Sequence, residues 1–97
     1  MEKALYDKTG REIMAGDILK VFHFVGARRK RHYMYKQALK IEQLGKADFM
    51  KIGHLNLYDR DDGYHELLDG RILRDYEIVQ GFGGDGVSFE DRPKLKA

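Results

Sequence analysis

The amino-acid sequence predicts a mainly β, single-domain fold, either a small barrel of the SH3-like kind or a strongly bent meander. One segment, 34–45, keeps a short helix as its alternative. Three observations carry the prediction. Eleven glycines and a single proline punctuate the 97 residues at short intervals, which suits strands and tight turns better than long helices. The strongest apolar run, Ile18 to Val25, is β-branched and aromatic and is closed by Gly26, as strands favour. Turn signals at Asp7-Lys8-Thr9-Gly10 and Asp69-Gly70 adjoin apolar segments, because aspartate bonds the backbone two residues on and glycine accepts positive φ.

In chain order, Lys3 to Tyr6 reads as a short first strand and Asp7 to Gly10 as a turn. Arg11 to Met14 is extended, and Ala15-Gly16-Asp17 turns the chain again. Ile18 to Val25 then enters the core. Its near-continuous apolar character predicts burial on both faces or a passage through a small barrel's core, with Val21 and Val25 on one face and Ile18, Phe22 and Phe24 on the other. Residues 33–41 admit two readings. As a strand they place Tyr33, Tyr35, Leu39 and Ile41 on one face; as a helix, Met34, Ala38, Ile41 and Leu44 form a stripe ended by Gly45. Propensity favours the helix. A short polar loop between two apolar runs favours a hairpin and therefore the strand. Phe49 to Leu57 is a further strand, Tyr58 to Gly63 an acidic loop, and Asp75 to Gln80 a last core strand with Tyr76 and Ile78 on one face. Residues 1–90 form the domain and 91–97 a flexible C-terminal tail.

Composition bounds what the chain does. With 42% hydrophobic and 35% charged residues it has enough apolar side chains for one core and enough charge for solubility. The absence of cysteine excludes disulfides and thiolate chemistry and fits a reducing compartment. No run approaches the roughly 18 apolar residues of a membrane span, and Met1 to Tyr6 has no signal-peptide character. The expectation is a cytoplasmic protein with no membrane partner. The formal charge is +2, but residues 1–51 carry twelve Lys and Arg against six Asp and Glu, and residues 52–97 six against ten. Such an asymmetry marks a basic face or lets copies meet head to tail as a homo-oligomer, unless folding interleaves the halves.

The sharpest local feature is Arg28-Arg29-Lys30-Arg31, followed by Tyr33 and Tyr35. Four adjacent cations are able to hold phosphates while the rings stack on bases. A solvated hairpin tip that blocks edge-to-edge pairing is the structural alternative. Other motifs fail on spacing. Gly81 to Gly86 matches G-x-G-x-x-G, but eleven residues with Pro93 leave no room for the helix and acidic residue of a dinucleotide site. Asp59 to Gly63 opens like a calcium loop, yet Tyr64 and Gly70 stand where such a loop needs glycine and glutamate. His23, His32, His54 and His65 lack ligand spacing, His23 reading as a hydrogen-bonded sheet histidine. Ser88 lacks a nucleophile elbow. No catalytic residue, metal site or cofactor is expected.

Asp7-Lys-Thr-Gly-Arg-Glu-Ile13 with Gly16-Asp-Ile-Leu-Lys20 resembles the N-terminal motif of the YopX-like proteins of phages and prophages, and Tyr76-Glu-Ile-Val-Gln-Gly81 is similar to their closing strand. The two stretches cover about a quarter of the chain. Thr9 stands where the family has Asn and Leu19 where it has Val. Gln80 is inserted before the glycine, and Phe22 to Asp75 follows no family pattern. The resemblance implies a small β-rich, barrel-like fold and a mobile-element origin in a bacterial host, and no particular activity. The expected function is therefore a non-catalytic binding module of phage type. Its alternatives are a sequence-independent nucleic-acid binder working through the basic loop, and an inhibitor or regulator of a host protein.

Overall fold

A computed structural model describes residues 4–55, 63–83 and 86–95. Five strands, β1 (Ile18–Val25), β2 (Arg31–Leu44), β3 (Ala47–His54), β4 (Tyr64–Leu67) and β5 (Tyr76–Gln80), form one antiparallel sheet in the order β4-β3-β2-β1-β5. The fold is mainly β, as its glycine spacing and apolar runs predict. The sheet does not close through backbone pairing, because β4 and β5 are its two edges. It is nevertheless strongly bent: Tyr64 on one edge and Tyr76 on the other join their hydroxyls by a hydrogen bond. The result is the bent-meander form of the prediction rather than a closed barrel. No helix among the described residues is long and apolar enough to cross a membrane.

The concave face holds the core. Leu19, Val21, Ala38, Met50, Ile52 and Ile78 project from the strands, and Leu5, Ile13, Leu68 and Leu73 cover them. The covering residues come from the segments before β1 and between β4 and β5, which bond to one another. Tyr6 N donates to Arg71 O at 3.1 Å, Gly70 N to Ala4 O at 2.7 Å and Leu73 N to Tyr6 O at 2.7 Å. Residues 4–6 and 11–14 are extended but form only isolated bridges, such as Tyr6 with Glu12, rather than strands.

The central hairpin resolves the two readings of residues 34–45 as a strand and corrects one expectation about β1. Residues 34–45 contain no helix, since β2 runs unbroken from Arg31 to Leu44. It pairs with β1 along one edge and β3 along the other, and two ladders of hydrogen bonds outweigh a helix propensity worth a few tenths of a kcal/mol per residue. Nor is β1 buried on both faces. Leu19 and Val21 are buried, whereas His23, Phe24 and Val25 are exposed, because the covering layer ends before the hairpin does. A bulge between Phe22 and Phe24 pairs Phe22 with Tyr33 and Phe24 with His32. The two phenylalanines therefore lie on opposite faces, and Phe24 stacks on His32 at 4.6 Å.

The opening motif supplies two buried carboxylates. Asp7 Oδ1 accepts from Thr9 N (3.0 Å), Thr9 Oγ1 (2.7 Å) and Arg11 N (3.0 Å). Its Oδ2 accepts from Ile78 N at 2.9 Å, capping the outer edge of β5. Asp17 accepts from Met14 N at 2.8 Å and from both terminal nitrogens of Arg92, at 2.6 and 2.9 Å. Gly81 passes so close that an added Cβ would lie 1.9 Å from Asp17 Oδ1. Arg92 falls in the segment 91–97 that composition predicts as a flexible tail, yet it is buried. Leu95 N donates to Gly10 O at 2.8 Å, so residues 91–95 are packed against the N-terminal turn. The physical reason is a buried carboxylate 75 residues away, which needs a planar bidentate partner.

Candidate nucleic-acid interface

The basic run folds as the tip of the β1–β2 hairpin, beyond the core. Ala27–Lys30 makes a tight hairpin turn, with Lys30 N donating to Ala27 O at 3.2 Å and Gly26 N to Lys30 O at 2.7 Å. Arg28 (φ 59°, ψ 28°) and Arg29 (φ 58°) both adopt left-handed backbone. Hairpin tips with two successive left-handed residues are normally filled by Asn-Gly or Gly-Gly. A β-carbon there costs on the order of 1 kcal/mol per residue. The tip thus carries two guanidiniums where a stability-driven sequence would carry neither. Arg28, Arg29, Lys30 and Arg31 are all exposed.

From the tip, alternation along β2 puts Arg31, Tyr33 and Tyr35 on the convex face, opposite the core. Cross-strand pairing adds Lys20, opposite Tyr35, and Phe22, opposite Tyr33. The groups interleave: the Arg31 guanidinium lies 4.7 Å from the centre of the Phe22 ring and the Lys20 ammonium 4.3 Å from that of Tyr33. Phe22 meets Tyr33 edge to face at 6.1 Å. Tyr33 and Tyr35 remain 39% and 45% exposed, high for rings on a sheet. The structure therefore brings Arg31, Tyr33 and Tyr35 onto one surface and leaves Arg28, Arg29 and Lys30 at its end. Sequence reasoning missed Lys20 and Phe22. Their alternation in β1 is visible, but their register against β2 is not.

The same face continues across the sheet. Lys40 and Lys51 stand directly opposite each other on β2 and β3, an arrangement that like charges disfavour. Glu42 relieves it, 3.4 Å from Lys40 and 3.5 Å from His65. At the other edge Glu77 pairs with Lys8 at 3.6 Å.

A second polar cluster, on the concave face, has no local signal in the sequence. Lys36 Nζ donates to Tyr64 Oη at 3.3 Å and sits 4.5 Å over its ring, while Tyr64 bonds Tyr76. Burial pushes both phenol pKa values up, and the hydrogen bond to Tyr76 and the charge of Glu66 add to the shift at Tyr64. Burial also pulls the Lys36 ammonium down, opposed by Glu66. These groups tie the two sheet edges to the central strand.

The remaining motifs find structural places. His23 is exposed at the bulge, with its ring edge-on to Phe24 at 5.0 Å, rather than hydrogen-bonded within the sheet. Among the described residues no three His, Cys, Asp or Glu side chains converge as a metal site. Of the Asp59–Gly63 stretch only Gly63 lies within the described residues. Of the Gly81–Gly86 stretch, residues 84 and 85 lie outside the described residues; the 3-10 turn Phe89–Asp91 follows it, and Gly81 is taken up by its approach to Asp17. Compared with protein-family models, curated proteins and solved structures, the chain finds no match.

Proposed function

We propose that this protein is a non-catalytic, sequence-independent nucleic-acid-binding module of phage or prophage type, acting in the cytoplasm of a bacterial host. The observation that carries this reading is the hairpin tip: Arg28 and Arg29 occupy left-handed positions that disfavour them. A conformational cost retained at an exposed site is accounted for when the side chains serve a ligand. Arg28, Arg29, Lys30 and Arg31 would hold phosphates, and Tyr33 and Tyr35 would meet the bases beside them. Backbone contacts of this kind position a nucleic acid without reading its sequence.

The test is oligonucleotide binding as a function of salt. Affinity should fall steeply with salt, because each neutralised phosphate adds about 0.7 to 0.9 to the slope of log K against log salt. The Arg28→Ala/Arg29→Ala/Arg31→Ala variant should flatten that slope by about 2 to 3 and weaken binding at least tenfold. Absence of binding to any oligonucleotide at low salt would overturn the proposal.

A further inference from the structure

We infer, resting on that reading, that the nucleic acid is single-stranded and crosses the convex face of the sheet from the hairpin tip toward Lys40 and Lys51. The solvated face of an antiparallel sheet ordinarily carries polar side chains. Here β1 and β2 place Phe22, Tyr33 and Tyr35 on it, each beside a cation. Tyr33 and Tyr35 are two residues apart on one strand, so their rings emerge roughly 6.6 Å apart. That spacing lets successive unstacked bases each meet one ring. In a duplex the base faces are already stacked on one another, and flat exposed rings find only edges and backbone.

The cations follow the same track. Arg31 lies over Phe22 and offers a second planar surface, since a guanidinium stacks on bases as an aromatic ring does. Lys20 leans on Tyr33, within reach of the phosphate of a base held there. Farther along, Lys40 and Lys51 face each other, with Glu42 3.4 Å from Lys40, so the group keeps a net positive charge that a polyanion would meet. From Arg31 to Lys40 the strand spans about 30 Å. Rings and cations alternate from Arg31 to Tyr35, and the lysine pair lies farther along the same face beyond Gln37.

The experiment compares labelled oligothymidylate with a duplex of equal length at one salt concentration, for the wild type and for two double variants. The single strand should bind at least tenfold more tightly than the duplex. Tyr33→Leu/Tyr35→Leu should weaken single-strand binding about tenfold per ring and leave the salt slope unchanged. Tyr33→Phe/Tyr35→Phe, which keeps both rings, should restore affinity. Melting curves check that each variant folds. Equal affinity for duplex and single strand, or a leucine variant that binds like the wild type, overturns the single-strand path while the basic tip still stands. Loss of all binding in the wild type removes both.

Discussion

The molecule handles charge in two opposite ways. Around the opening motif, Asp7 and Asp17 are buried and every contact they make holds the fold: Asp7 caps β5 through Ile78 N, and Asp17 grips Arg92. At the β1–β2 tip, Arg28 and Arg29 are exposed and sit in backbone conformations that oppose their side chains. Charge in the first region is satisfied and stabilising. In the second, Arg28 and Arg29 make no ion pair among the described residues, and the backbone that carries them is strained. The contrast separates residues that build the domain from residues that are exposed at a cost to its backbone.

The most forceful way to break the comparison is Asp17→Ala. It leaves the Arg92 guanidinium buried without its carboxylate, which should lower unfolding free energy by about 3–5 kcal/mol, a large share of the roughly 5–15 kcal/mol of a typical domain. Urea denaturation measures it, and a loss under 1 kcal/mol would mean that Asp17 is not structural. Asp7→Ala comes next. It removes charge-assisted hydrogen bonds to three backbone amides and should cost about 2–3 kcal/mol, with earlier hydrogen exchange at Ile78.

Gly16→Val sharpens the account of the turn. An added Cβ meets nothing within 4 Å, but φ is +97°, so the expected cost of about 1–2 kcal/mol is backbone strain rather than a clash. Gly16→Asn should recover part of it, since asparagine tolerates this region. A melting temperature unchanged by valine would remove the turn from the argument.

The concave cluster makes a smaller prediction, in pH. Tyr64 and Tyr76 have pKa values raised above the ordinary phenol value. Their contribution to stability is complete below about pH 10 and is lost as pH rises beyond it, because the unfolded chain releases its phenol protons first. Lys36, whose pKa is lowered, acts in the opposite sense: its burial penalty fades as pH approaches about 10.5. With two phenols against one amine, stability should decline above about pH 10. Tyr64→Phe should make that decline shallower, at a cost of about 1 kcal/mol at neutral pH for the lost hydrogen bonds.

How far the sequence reveals this depends on whether the deciding interaction is local. The bounds of β1 are legible because an apolar run ends in Gly26, and the turn at Asp7 because its carboxylate bonds Thr9 N two residues on. The basic tip is legible from its polar loop between apolar runs. The strand state of 34–44 is not, since it is decided by neighbours on both edges against local propensity. The bulge at His23, which separates Phe22 from Phe24, has no composition signature. Arg92 reads as a tail residue because its partner lies 75 positions earlier. The left-handed backbone at Arg28 and Arg29 is hidden for the opposite reason: the residues present are those the geometry disfavours.

The central claim, that the tip exchanges stability for contact with nucleic acid, is tested most directly by Arg28→Asn/Arg29→Gly, measured by thermal melting and oligonucleotide binding on the same samples. Asn-Gly suits the turn, so the melting temperature should rise by several degrees, as about 1 kcal/mol does in a domain of this size. Affinity should fall at least tenfold. A variant that melts lower than the wild type, or one that binds as tightly, would contradict the account.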